Sequence, residues 1–180
     1  MPPTPAVAVK ASRSDELRLG GVVAELRHWA LLDLTGRHRE RFLASQATSD
    51  VASLAVGASQ PSALLDRSGR LRAFFFVHKR EESLALLIPE ELAESCIEAL
   101  ESHLIADDVV IDRREVGRMR LALGPAPAAV AAGSDRFPVE GWGSRGFVTW
   151  GDDDLPWSEI EPDDLETLRV LGGPPSWLSL

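Results

Sequence analysis

The sequence predicts an α+β domain, with a mainly antiparallel sheet and helices flanking it. Three observations carry this. Apolar segments at 62–66 and 70–79 face each other across Arg67-Ser68-Gly69, the pattern of a β-hairpin. Leu92, Cys96, Ala99, Leu100 and Leu104 recur at helical spacing, with Glu91, Glu94, Glu98 and Glu101 on the other side. Strand-like and helix-like segments mix with hairpins instead of strictly alternating, which disfavours a parallel sheet.

In chain order, residues 1–14 read as a flexible leader, since Pro2, Pro3 and Pro5 resist regular structure. Residues 15–26 predict short helical turns broken at Gly20-Gly21, and Trp29 to Leu34 a strand closed by Thr35-Gly36. Arg37 to Gln46 predicts a polar helix offering Phe42 and Leu43 to the core, followed by a cap or turn at Thr48, Ser49 and Asp50. In the hairpin, Gly69 is free to take positive φ. Along 70–79, Leu71, Ala73, Phe75 and Val77 point one way and Arg72, Phe74, Phe76 and His78 the other. Aromatic side chains on both faces predict a central strand. Ser83 to Ile88 predicts a further strand, then come the helix from Glu90 to Leu104, strands at 109–114 and 118–123, and a short helix at 126–132. A strand pair is expected near 137–141 and 145–150. The last helix has Pro162 in its first turn, Asp163 and Asp164 at its positive end, and Gly172-Gly173-Pro174-Pro175 to stop it. A single domain at 15–180 is expected, and its division into a core, 15–133, and a smaller C-terminal subdomain, 134–180, is left open.

The net charge of −9 opposes non-specific nucleic-acid binding, which needs clustered cations to neutralise phosphates. No apolar run approaches the roughly 20 residues of a membrane helix, so no membrane partner is expected. The single Cys96 excludes an intrachain disulfide and any multi-cysteine metal site within one chain, and fits a cytoplasmic setting. It sits on an apolar helix stripe, where cysteine acts as a small hydrophobe. His28, His38, His78 and His103 show no metal-ligand spacing, so no metal is expected. His103 reads as a packed, hydrogen-bonded residue, whereas for His78 both ligand contact and packing stay open. Trp142, Trp150 and Trp157 read either as packing or as surfaces for a flat heterocycle.

Four segments in fixed order, LLDLTGRHRERFLASQATSDV (31–51), LLDRSGRLRAFFFVHKR (64–80), LALLIPEELAE (84–94) and HLIADDVVI (103–111), resemble the folate-binding domain of a known family. Its members are the aminomethyltransferase (T-protein) of the glycine cleavage system and its non-enzymatic YgfZ-type relatives, which are linked to maintenance of iron–sulfur proteins. The resemblance implies an aminomethyltransferase-like fold around a ligand. Asp66-Arg67-Ser68-Gly69-Arg70 matches the family's hairpin turn; the catalytic carboxylate of the enzymes follows on the next strand, where this chain has Ala73 or Phe74. Leu168 to Pro175 is similar to LRxxAGxP, whose arginine helps hold folate, which assigns Arg169 as an anchor. Thr149-Trp150-Gly151-Asp152 is similar to a YTGE turn whose glutamate bonds the pterin, with Asp152 as a shortened substitute. Phe74, Phe76 and Trp150 complete the expected ligand contacts.

In YgfZ-type proteins a KGCYxGQE motif and a β-barrel region follow, whereas the sequence here stops at Trp177-Leu178-Ser179-Leu180, the pattern either of a paralogue shortened at the C-terminus or of part of a longer protein. The resemblance therefore implies a protein without catalytic residues that binds tetrahydrofolate or a related reduced folate in support of iron–sulfur protein assembly or repair. Two further readings are a ligand-free adaptor on the same fold and a folate-dependent aminomethyl or one-carbon transferase. The expected partners are a folate-type small molecule, iron–sulfur client proteins, and a second copy meeting the chain through its C-terminal segment.

Overall fold

The computed structural model describes residues 20–129, 136–142, 144–151 and 154–172, with no side chain described at 167 or at 169–172. The elements are β1 (Val22–Glu25), β2 (Trp29–Thr35), α1 (Arg39–Gln46), β3 (Ser59–Leu65), β4 (Leu71–Lys79), β5 (Leu84–Pro89) and α2 (Glu90–Glu101), then β6 (Val110–Arg114), β7 (Met119–Leu123), α3 (Pro125–Ala129), β8 (Arg136–Gly141), β9 (Ser144–Trp150), β10 (Ser158–Glu159) and α4 (Pro162–Gly172). Two compact units result. Arg27–Val116 forms one; the described residues up to Leu26 and from Gly117 onward form the other. This division differs from one at 133/134, because β7 pairs along its length with β9.

The Arg27–Val116 unit is built on a sheet ordered β3-β4-β5-β2-β6, with every neighbouring pair antiparallel. β4 is interior, as its two aromatic faces predicted. One sheet face carries Leu32, Leu34, Phe75, Val77, Leu84, Leu86 and Ile88, all buried. Ion pairs from this face reach both helices, Lys79 to Glu40 of α1 and Arg113 to Glu90 of α2, so the helices lie on it. Phe42 and Leu43 of α1, and Leu92, Ala93, Cys96 and Leu100 of α2, supply the helical half of the core. Helix α2 ends at Glu101, short of Leu104. His103 is exposed beyond it instead of bordering the core, with Nδ1 2.8 Å from the Ala99 carbonyl oxygen.

The second unit is built on a sheet ordered β10-β1-β7-β9-β8. Its first strand corrects an expectation. Val22–Glu25 is extended and not helical, and residues 15–19 lie outside the described set. The β-branched Val22 and Val23 suit a pleated strand, and β1 finds partners on both sides. It runs antiparallel to β7, with Val22 opposite Leu123, and parallel to the two-residue β10. The strand pair expected near 137–150 is present as β8 and β9. Helix α3 spans Pro125–Ala129, and 130–132 lie outside the described residues. No helix among the described residues is long and apolar enough to cross a membrane.

Candidate functional site

On the Arg27–Val116 sheet, the face opposite the helices is the chemically mixed one. Register defines it by rows, because residues paired across strands share a face. One row holds Asp112, Asp33, Ala85 and His78. The next holds Arg114, Leu31, Leu87 and Phe76. Two residues further along their strands, Trp29 and Phe74 lie on the same face. Aromatic and charged groups are thus brought together by the period-two alternation of β2, β4 and β6.

Phe74 and Phe76 meet edge to face, with ring centroids 5.4 Å apart and an interplanar angle of 81°. Their roles differ. Phe76 is only 1% exposed, so it supports Phe74 and presents no open ring face, while Phe74 is half-buried. Ala73 points to the helix face and is buried. Of the two positions where the enzymes' carboxylate was expected, only Phe74 therefore lies on this mixed face. Neither side chain can take up a proton or balance a developing cation.

Charge on this face is organised around Asp33, which no motif in the sequence singles out. Its Oδ1 lies 3.3 Å from Arg80 Nη1 and its Oδ2 3.5 Å from Arg114 Nη1. A carboxylate held between two guanidiniums has its charge balanced by the protein's own side chains. Arg80 continues the face two positions beyond His78, the one local signal that could have found it.

His78 is buried, with Nδ1 3.0 Å from the Ala58 carbonyl oxygen. A carbonyl only accepts, so Nδ1 carries the proton. Burial holds the imidazole pKa below its ordinary value, with Arg80 adding to the effect and the bond to Ala58 opposing it. Cys96 is buried on α2, and burial pushes its thiol pKa up to about 12. It is inert as a nucleophile at neutral pH. No group of three or more His, Cys, Asp or Glu side chains suited to a metal ion occurs among the described residues.

The other expected contacts belong to the second unit. Trp150 ends β9, half-buried and opposite Met119. Arg169 lies within α4, but its side chain is outside the described residues, as is Asp152. Trp142 is buried at the β8–β9 turn with φ 47°, and Trp157 packs with Leu155 against Val23, Ala122 and Phe147. Trp157 and Phe147 stand edge to face at 6.1 Å, and the Arg136 guanidinium lies 4.6 Å from the Phe147 ring centre. Of the two readings open for Trp142 and Trp157, the structure thus favours packing. Trp177, Leu178 and Leu180, the expected self-association segment, lie outside the described residues.

No protein-family model matches the chain. An uncharacterized protein of Haemophilus influenzae is 31% identical over 91 residues, covering 50% of this chain and 32% of that protein. The tRNA-modifying protein YgfZ of Photobacterium profundum is 28% identical over 148 residues, covering 79% of this chain and 44% of that protein. The crystal structure of the glycine cleavage system aminomethyltransferase T from Bartonella henselae superposes with a TM-score of 0.74 at 18% identity, over 89% of this chain and 53% of that one. At that identity the likeness concerns the fold. The chain spans about half the length of the aminomethyltransferase and less of the two curated relatives.

Proposed function

We propose that this chain, YgfZ/T-protein-like in sequence and in fold, is a cytoplasmic protein that binds a reduced folate without catalysing transfer from it, and that it supports iron–sulfur protein assembly or repair. One observation carries the reading. Phe74 stands half-buried on the mixed sheet face, where the resemblance places the enzymes' acid. An aromatic edge there suits stacking or edge contact with a flat heterocycle and removes the acid that transfer needs. Arg169 is the anchor that the resemblance assigns, and Asp152 and Trp150 are the further contacts.

Calorimetric titration with tetrahydrofolate tests the binding. The wild-type chain binds, and both Phe74→Ala and Arg169→Ala weaken binding about tenfold, roughly one lost aromatic or charge-assisted contact. Absent binding, or binding unchanged in both variants, overturns the reading. An assay with tetrahydrofolate and the aminomethylated lipoyl carrier gives no turnover above background; turnover sensitive to Asp33→Asn would place the acid there. The burial of Phe76 favours a second reading, an adaptor without ligand on the same fold. Capture of iron–sulfur clients by a chain that binds no folate would select it.

A further inference from the structure

The tip of the β3–β4 hairpin carries Arg67, Arg70 and Arg72, all exposed, and none has an ion-pair partner among the described residues. This is unusual in a chain of net charge −9. Arginines elsewhere in the same unit are engaged: Arg41 with Asp107, Arg37 with Asp108, and Arg113 with Glu90. From Arg67 to Arg80 the sequence holds no acidic residue. The one carboxylate at the tip, Asp66, is taken up by the turn. Its Oδ1 accepts the Ser68 N–H at 2.7 Å and the Arg70 N–H at 2.9 Å. The Asp66 N–H also donates to the Arg70 carbonyl at 2.8 Å, and the Gly69 N–H to the Asp66 carbonyl at 3.0 Å. The arginines therefore spring from a fixed loop, so binding an anion orders their side chains but not the backbone that carries them.

Along β4 the mixed face grades from exposed Arg72 through half-buried Phe74 to buried Phe76. At about 3.4 Å per residue, Arg72 lies about 7 Å along the strand from Phe74. An aromatic step followed by a free cationic tip fits a ligand with a flat head and a tail of carboxylates. We infer that Arg67, Arg70 and Arg72 dock the oligo-γ-glutamate tail of a polyglutamylated folate, an inference that rests on the folate reading of Phe74. Bidentate guanidinium–carboxylate pairing is the recognition chemistry. Nucleic acid is the disfavoured anion, since three arginines at one hairpin tip are too few to neutralise a long run of phosphates against a net charge of −9.

The test compares tetrahydrofolate with its pentaglutamate form on the full chain, wild type and R67Q/R70Q/R72Q. All three side chains are exposed, so the substitutions leave the core intact, and a thermal melt verifies that the variant is folded. The pentaglutamate form binds the wild type about three- to tenfold more tightly, as expected of exposed ion pairs. The advantage shrinks with added salt and vanishes in the variant, whose affinity for the monoglutamate is unchanged. Equal affinity for the two forms overturns the tail inference and leaves the folate reading standing. If neither form binds, the folate reading falls and the tail inference with it. An arginine-dependent affinity for an RNA hairpin, without a pentaglutamate advantage, overturns the inference in favour of nucleic acid.

Discussion

His78 shares a strand face with Phe74 and Phe76, yet its imidazole is committed to the chain's own backbone at Ala58. Burial disfavours the charged ring, so the folded-state pKa lies below the 6.5 of a free histidine. In the unfolded chain the ring takes a proton near that ordinary value, while in the fold it does so only at lower pH. Below pH 6.5 the unfolded state therefore binds more protons than the native one, and stability declines as pH falls. Urea midpoints should drop on acidification through this window, and the drop should be shallower in His78→Gln, which keeps a donor for Ala58 without a titrating group. An identical acid slope in the variant would show that other groups set it. His78 is thus a packed residue with a pH signature, and of its two sequence readings the structure favours packing.

Two glycines separate conformational from steric cost at the level of the element. Gly69 has φ +78°, and a Cβ added there would meet nothing within 4 Å, so Gly69→Ala costs only the left-handed backbone, about 1–2 kcal/mol. Gly146 of β9 faces the reverse case: a Cβ would sit 1.8 Å from the Ala122 carbonyl oxygen of β7. Gly146→Ala must push the two strands apart and should cost about 3 kcal/mol or more. Thermal melts rank the two variants, and a smaller loss for Gly146→Ala would mean that the strands separate freely. The pair also marks what could be read from residues alone. Arg67-Ser68-Gly69 announced its hairpin through local turn chemistry, and α4 announced its start through Pro162 and its acids. The closeness of β7 and β9 depends on segments distant in sequence, which nothing local at Gly146 reveals. β1 failed for the same reason: four residues beside Gly20-Gly21 carry no clear period, and their partners lie at 120–123 and 158–159. The site divides likewise. Alternation placed Phe74 and Phe76 on one face, but the burial of Phe76 and the meeting of Asp33 with Arg80 and Arg114 arise only when the strands assemble.

At the scale of the whole molecule, the two units differ in how the chain supplies them. The Arg27–Val116 unit is continuous and draws all five of its strands from within that span. The other is discontinuous, since β1 precedes the first unit in sequence while β7 to β10 follow it. Its sheet order, β10-β1-β7-β9-β8, gives β1 a linking place: without it, β10 loses its partner and β7 becomes an edge. Edge strands exchange and associate more readily than interior ones. Deleting residues 1–26 should therefore act unevenly. Amide protection in β7 should fall, because Val22 to Glu25 no longer pair with Leu123 to Arg120. Protection in β2, β4 and β5 should persist, because each keeps both sheet neighbours. Hydrogen exchange read by mass spectrometry on the full and deleted chains separates the cases. Even loss across both sheets would show one cooperative unit in place of two, and loss confined to the β2–β6 sheet would reverse the assignment of which part depends on the amino-terminal strand.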